Sequence, residues 1–280
     1  MDETLRRLQL TQLEILKVVD RFCRENDIKY TLCGGTLLGA VRHKGFIPWD
    51  DDLDIGMTRD NYDRFICLWE KNPPKGYLLQ NKDNTPSFTQ FFTKIRKEHT
   101  TFLQEVDNPY NYHTGIFIDV FPYDRIPNSK YKRALFTADT LMYLLYTKEY
   151  VPTNGNVLVR VMSNFALRVV PDAKHRLVRR FFYKKVTAHN NDPKNAIVAI
   201  ESISSNHRPN PINISNEYIE LPFEDGRFMC FKDYDLWLRR AYGDYMQLPP
   251  LSERKGIHNP TIIDFKCDCW EHMEKQKDLR

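Results

Sequence analysis

An α+β fold, a mixed β-sheet flanked by helices, is what this sequence predicts, and three observations predict it. Apolar residues recur at helical spacing through the first 26 positions. Short runs rich in aromatic and β-branched residues, Phe91–Arg96 and Gly115–Phe121, have the length and composition of strands. The stretch 130–195 reads as helix almost throughout, as an insertion between strand-bearing segments. At 280 residues the chain can bury a full core, and no repeat or low-complexity linker divides it, so one domain over 1–280 is expected.

The elements follow in order. Leu5, Leu8, Ile15, Leu16, Val19, Phe22 and Cys23 predict an amphipathic helix over 3–26. Ile28–Leu32 reads as a short strand running into Cys33-Gly34-Gly35-Thr36, after which a helix begins at Leu37. Trp49–Met57 alternates carboxylates with Leu53 and Ile55, the period of a strand with one acidic edge. Asn61–Trp69 reads as helix, and Gly115–Phe121 as a strand ended by Pro122. Between Ala196 and Phe231 two or three strands are expected, with Asp225-Gly226 at a hairpin turn. A C-terminal helical segment, Asp233–Tyr245, stops near Gly243 and the Pro249-Pro250 pair.

Composition narrows the function classes. Hydrophobic residues at 41% and charged residues at 28% describe a soluble folded chain rather than a disordered or disulfide-rich one. A net charge of +4, with lysine and arginine spread along the sequence, gives no electrostatic footprint for nucleic acid and suits anionic small molecules better. Six scattered cysteines and a start, Met-Asp-Glu, without a basic-then-apolar leader predict free thiols and a cytoplasmic location. Cys267-Asp-Cys269 offers two metal ligands with no second pair to close a zinc site. Val157–Val170, the longest apolar stretch, is too short to cross a bilayer and is interrupted by Arg160, Asn164 and Arg168. The basic helix Lys174–Lys185 is either a solvated face or a peripheral contact with an anionic membrane surface.

Chemistry concentrates in Asp50-Asp51-Asp52-Leu53-Asp54. Carboxylates this close disfavour joint ionisation, so a cation is expected among them. On a strand Asp50, Asp52 and Asp54 share a face and Asp51 points the other way, which suits hard cations, Mg2+ or Mn2+ in its place. Magnesium completes its shell with water and substrate phosphate, so the metal points to a phosphate-bearing ligand. The plain alternative is a solvated acidic turn. Gly34, Gly35 and Thr36 sit where a strand gives way to a helix, a place whose backbone N–H groups favour phosphate. Gly-Gly before a helix and Asp-x-Asp on the next strand is the arrangement of the nucleotidyltransferase fold. Asp119, a carboxylate inside an apolar strand, is the expected further metal-binding and catalytic residue beside Asp50, Asp52 and Asp54. Arg42, Lys44, Lys94 and Arg96 bracket the acidic strand as candidates for donor phosphate oxygens. Lys255 and His258 follow the Pro-Pro break as a candidate wall over a nucleotide.

At this point the run Gly35-Thr-Leu-Leu-Gly-Ala-Val-Arg-His-Lys-Gly-Phe-Ile-Pro-Trp-Asp-Asp-Asp-Leu-Asp-Ile-Gly-Met57 resembles the LicD family of phosphocholine transferases, itself similar to fukutin-related proteins. Thr93-Lys-Ile-Arg96 with Thr100-Thr101-Phe102, Gly115–Pro122, and Tyr242–Pro250 with His258 carry the resemblance along nearly the whole chain. It implies a nucleotidyltransferase-type catalytic domain over 1–280 with a helical insertion at 130–195, and magnesium on Asp50, Asp52 and Asp54 with Asp119 completing the set. It also implies a CDP-choline or related CDP-linked donor and a glycan or lipid-linked glycan acceptor, such as a teichoic acid precursor. CMP would leave, and the enzyme would work in the cytoplasm or at the inner face of the membrane. Cys33 stands where the family has a polar or aromatic residue, and the basic middle region matches poorly. A choline headgroup would need an aromatic cage, for which Trp49, Phe91, Phe92, Tyr123 and Trp237 are available. Two rivals stand beside this reading: a nucleotidyltransferase that releases pyrophosphate, and a catalytically silent glycan-binding relative.

Overall fold

The computed structural model of the protein describes residues 2–104, 112–151, 157–192, 194–199, 217–271 and 274. The chain divides into two compact units, Met1–Gln80, Phe92–Pro122 and Ile214–Arg280 forming the first and Asn81–Phe91 with Tyr123–Asn213 the second.

In the first unit, α1 (Glu3–Glu25) starts at Asp2, whose carboxylate accepts the Thr4 N–H at 3.0 Å. Leu8, Ile15, Leu16, Val19, Phe22 and Cys23 form its buried stripe, in line with the predicted spacing. Gln9 and Gln12 lie fully buried on the same helix, and their amides leave it. Gln9 Nε2 donates to the carbonyls of Asp50 (3.0 Å) and Ile47 (3.3 Å), and Gln12 Nε2 donates to that of Asp51 (2.9 Å). These bonds explain a difference from the sequence reading. The predicted strand over Trp49–Met57 is a strand only as β2 (Asp54–Thr58), because the carbonyls of Asp50 and Asp51 are satisfied by glutamines instead of by a neighbouring strand. Gln12→Leu is therefore expected to cost about 1–3 kcal/mol by leaving the Asp51 carbonyl buried without its donor, read as a lower urea midpoint at unchanged slope.

The predicted strand over 28–32 narrows to β1 (Thr31–Leu32), antiparallel to β2. Helix α2 (Gly34–Arg42) begins at Gly34, earlier than the expected Leu37, because Gly34 takes φ +55°, which glycine enters without Cβ strain. Helix α3 (Arg59–Lys71) packs Phe65 and Trp69 against Phe22 of α1. Strands β3 (Tyr77–Gln80), β4 (Thr93–Lys97) and β6 (Phe117–Ile126) complete the central mixed sheet in the order β1-β2-β6-β4-β3, and helices flank it. Beside it lie β5 (Thr101–Leu103) paired with β10 (Ile262–Asp264), and the hairpin β8 (Tyr218–Phe223) with β9 (Gly226–Phe231). Its turn residues are Glu224 and Asp225, so Gly226 opens a strand instead of sitting in the turn. Glu224 is held at φ +54° by Arg6 and by the Phe46 N–H, both bonded to its carboxylate. Helix α7 (Tyr234–Tyr242) ends at Gly243, as predicted.

Strand β6 does not end at Pro122. Residues 117–120 pair with β4, and 123–126 pair with β7 (Ala196–Ala199), so the proline without an N–H falls between two ladders. The expected strands between 200 and 216 lie outside the described residues.

In the second unit, the expected helical stretch resolves into α4 (Lys130–Lys148), α5 (Val157–Val169) and α6 (Asp172–Thr187). Pro171 separates the last two. Ile126, Phe136, Tyr143, Leu144 and Val186 form its apolar centre, with Phe91 and Phe182 packed against it. Among the described residues no helix is long and apolar enough to cross a membrane, and no disulfide joins the six cysteines.

Candidate active site

The site grows from the loop that α1 holds and the turn that opens α2. The two are in direct contact: a Cβ added to Gly35 would lie 2.5 Å from Asp50 Oδ2, and one added to Gly34 would lie 2.8 Å from Asp54 Oδ2. Only glycine lets the helix N-terminus come this near the carboxylates, whose charge the helix dipole favours there. Thr36 Oγ1 accepts the Asp54 N–H at 2.8 Å, and the Cys33 N–H donates to the Asp54 carbonyl at 3.2 Å, locking turn to strand. The hydrophobic Cys33 thus serves through its backbone.

Asp51 has a role that strand periodicity does not reveal. Its carboxylate accepts the N–H groups of Ile257 (3.2 Å) and His258 (3.1 Å) and faces the His258 ring Nδ1 at 3.0 Å. Gly256 closes this clip, since a Cβ there would collide with Asp51 Oδ2. His258 also approaches Asp52, its Nδ1 3.8 Å from Oδ2, and stands edge-on to Phe102 and Phe117. A separation of 206 positions in sequence between Asp51 and Ile257 hides the link from any local reading.

Electrostatics show how crowded the carboxylates are. Burial, then the charge of Asp52 and a hydrogen bond shared with it, push the Asp50 carboxyl up to about 8. Burial also pushes Asp52 up, against the pull of His258 and with the help of Asp119. Burial acts to raise Asp51, but the His258 ring and the two backbone N–H groups outweigh it and hold this carboxyl below the usual range. Burial lowers His258, yet Asp51 and Asp52 together leave its imidazole raised. Tyr242 at the end of α7 lies within reach of the same charges: burial, then Asp54, the Cys33 thiol, Asp50 and Asp52, raise its phenol. Tyr242 is a site neighbour that residue chemistry alone gives no reason to choose.

Asp119 sits opposite Lys94 in the β4–β6 register, and Lys94 Nζ lies 2.6 Å from its Oδ1 with both side chains buried. The Asp119 N–H donates to the Leu53 carbonyl at 2.9 Å, which ties β6 to the end of the acidic loop. Lys94 Nζ also lies 3.2 Å from the centre of the Phe117 ring. Burial lowers the Lys94 ammonium, and Asp119 is the main influence opposing it. The other sequence-proposed cations already have partners. Arg42 donates to the carbonyls of Tyr245 (2.9 Å) and Gln247 (3.2 Å), and Lys44 to that of Val41 (3.1 Å). Arg96 is buried with its guanidinium on Gln80 Oε1 and the Gly115 carbonyl, both at 2.7 Å. The structure thus brings Gly34, Gly35, Thr36, Asp50, Asp52, Asp54 and His258 together, joins Asp119 to Lys94, and uses Arg42, Lys44 and Arg96 to bind backbone or glutamine. Of the aromatics, Trp49 lies under Arg254 and beside His43, and Phe92 packs at a tilt against Phe121. Phe91 and Tyr123 belong to the second unit.

The donor set suits a hard divalent cation. The charge of Asp52 acts directly on the Asp50 carboxyl, and ligand atoms of Asp51, Asp52 and His258 lie within 4.8 Å of one another. Carboxylate oxygens forced together and pushed toward neutrality are the arrangement a cation relieves. Asp51 already accepts two backbone N–H groups and faces the His258 ring, so Asp52 is the carboxylate of this group best placed to take an ion.

A glycine turn opening a helix against an aspartate-bearing loop, with another aspartate on the adjoining strand, defines a nucleotidyltransferase-type domain. Residues 27–153 match the family described as LicD/FKTN/FKRP, nucleotidyltransferase domain. It is similar to the lipopolysaccharide cholinephosphotransferase LicD of Haemophilus influenzae, 29% identical over 260 residues that cover 91% of this chain and 96% of that protein. An uncharacterized protein of Rickettsia typhi is 39% identical over 72 residues, 26% of this chain and 23% of its own length. Human ribitol 5-phosphate transferase FKRP is 57% identical over 30 residues, 11% of this chain and 6% of that protein.

Proposed function

We propose that this protein is a metal-dependent phosphotransferase that moves phosphocholine, or a similar substituted phosphate group, from a CDP-linked donor to a hydroxyl of a cell-surface glycan. Lipopolysaccharide or a teichoic acid precursor would be the acceptor, CMP the leaving group, and the inner face of the cell membrane the place of work. The observation that carries the reading is the contact of the Gly34-Gly35 turn with the carboxylates of Asp54 and Asp50. The end-to-end similarity to a lipopolysaccharide cholinephosphotransferase supports the choice of transferred group.

Asp50, Asp52, Asp54 and Asp119 would hold Mg2+, or Mn2+ in its place. When bound, the metal would supply neutralisation of the donor diphosphate and of the charge that develops on the leaving CMP. The residues of the chain do the positioning. Gly34, Gly35 and Thr36 offer a helix N-terminus free of side-chain bulk, and Lys94 keeps the Asp119 carboxylate in place by a 2.6 Å ion pair. Asp51 fixes His258 at the edge of the acidic loop. With Arg42, Lys44 and Arg96 bonded to carbonyl and glutamine oxygens and Lys94 ion-paired with Asp119, His258 at the edge of the acidic loop is the cation we assign to the donor phosphates ahead of the other four.

The test is product analysis on the full chain with magnesium. CDP-choline, CDP-ribitol, CDP-glycerol and CTP are first ranked by thermal shift, and each binder is then incubated with a glycan acceptor. CMP together with a phosphodiester-linked product by 31P NMR is the expected result. Pyrophosphate released from CTP would replace the reading by nucleotidyl transfer, and binding without turnover of any donor would replace it by a glycan-binding role.

The raised Asp50 carboxyl makes a separate prediction. Between the ordinary carboxylate range and about pH 8 the folded state holds a proton that the unfolded chain releases, so metal-free stability falls as pH rises through this window. Magnesium selects the ionised carboxylates, so it should raise the melting temperature more at pH 8 than at pH 5. An equal or larger rise at pH 5, by scanning fluorimetry, would contradict the assignment.

A further inference from the structure

Helix α5 contradicts the usual logic of an amphipathic helix. Leu158, Val161, Met162, Phe165 and Val169 fall at three- and four-residue spacing on one face, where a stripe of this kind normally meets a core. Here no residue of the helix is buried, and these five are 59–68% exposed. The opposite face, with Ser163, Ala166 and Leu167 half-buried, is the one held to the unit. Tyr146 Oη donates to the Ala166 carbonyl at 2.8 Å, and His175 Nε2 lies 3.0 Å from the Val170 carbonyl. The stripe is thus fixed facing outward. Leu177 and Phe181 on α6 are exposed as well.

Charge says what the stripe meets. From Val157 to Thr187 the chain carries Arg160, Arg168, Lys174, Arg176, Arg179, Arg180, Lys184 and Lys185 against a single acid, Asp172. Arg179 and Lys185 are paired with Asp83 and Asp139, which still leaves the segment strongly positive. A second copy would bring this positive surface against itself. At 13 residues with two arginines, α5 cannot span a bilayer. An apolar stripe within a basic segment matches a leaflet whose interior is apolar and whose headgroups are anionic.

We propose that α5 seats the protein on an anionic membrane leaflet, with Leu158, Val161, Met162, Phe165 and Val169 entering the acyl layer and the basic residues of α5 and α6 at the headgroups. This deepens the proposed function by giving the surface on which a lipid-linked acceptor would be met, and it rests on that reading for the acceptor alone.

The test needs no substrate. The full chain is floated with vesicles of phosphatidylglycerol and phosphatidylcholine, and with phosphatidylcholine alone. It is expected to float with the anionic vesicles, to be partly released by high salt, and to stay behind with the neutral ones. Met162→Ser/Phe165→Ser, at exposed positions, should keep the circular dichroism spectrum and lower partitioning by at least about tenfold. In a Phe165→Trp variant, emission should shift to the blue on addition of anionic vesicles. Equal flotation of the wild type and the double variant, equal binding to neutral vesicles, or no binding to anionic vesicles would overturn the proposal. So would a concentration-dependent dimer lost in the double variant, because that would make the stripe a self-association face. An Asp52→Asn chain that floats normally yet turns over no donor would separate failure of the catalytic reading from failure of this one.

Discussion

Asp52→Asn is expected to lower turnover of the CDP-linked donor by about a thousandfold while leaving the fold intact. The substitution keeps the volume of the side chain and removes its negative charge, so what it takes away is affinity for a divalent cation. Asp52 is also the largest charge acting on the Asp50 carboxyl and one of those raising His258. Its loss should therefore bring the Asp50 carboxyl down toward the ordinary range and lower the imidazole. Two measurements read this independently of turnover: the magnesium-dependent rise in melting temperature should shrink, and the pH dependence of metal-free stability should flatten between pH 5 and 8. Full turnover of this variant at limiting magnesium would dismiss the acidic loop as the metal site. So would a magnesium response as large as that of the wild type.

Asp119→Ala should have the largest effect on stability, about 3–5 kcal/mol, because it leaves the Lys94 ammonium buried without its counter-ion. The sign of its pH dependence follows from Lys94. Burial already lowers this ammonium in the wild type, and without Asp119 nothing comparable opposes the shift. A lysine whose folded value lies below its unfolded value destabilises fully at low pH, and the penalty fades as pH rises toward the ordinary lysine value of 10.5. The deficit of Asp119→Ala in chemical denaturation should therefore narrow between pH 7 and 10. Lys94→Met/Asp119→Leu removes both charges and should recover most of the stability. If Asp119 also serves the reaction, this stable double variant remains inactive. Recovery of activity with stability would make the carboxylate purely structural.

The parts of the fold that could be read in the sequence are those set by local periodicity. The buried stripe of α1, the apolar run of β6 and the helical character of 130–191 each depend on side-chain spacing that repeats within one element. The turn of Gly34 and Gly35 was legible because a glycine pair marks a place where the backbone passes too close to its neighbours for a Cβ. The acidic residues were legible as a group because four like charges in five positions demand compensation whatever the backbone does.

What the sequence hid depends on partners far along the chain. Gln9 and Gln12 look like ordinary polar helix residues, and only docking of α1 turns their amides onto the carbonyls of Asp50 and Asp51 and keeps that run out of the sheet. Asp51 looks like the odd member of an alternating strand until its loop meets Ile257 and His258. Lys94 and Arg96 look like free cations until register sets one against Asp119 and sends the other to Gln80.

By itself, then, the sequence determined the α+β class, the glycine turn, the aspartates and the family resemblance, because each rests on residue identity within a short window. Only the tertiary structure decided which carboxylates crowd one another, which cations already have partners, and that the stripe of α5 faces outward. Those outcomes are set by distances between segments up to two hundred residues apart, by the water removed from between them, and by which of two polar groups reaches a partner first.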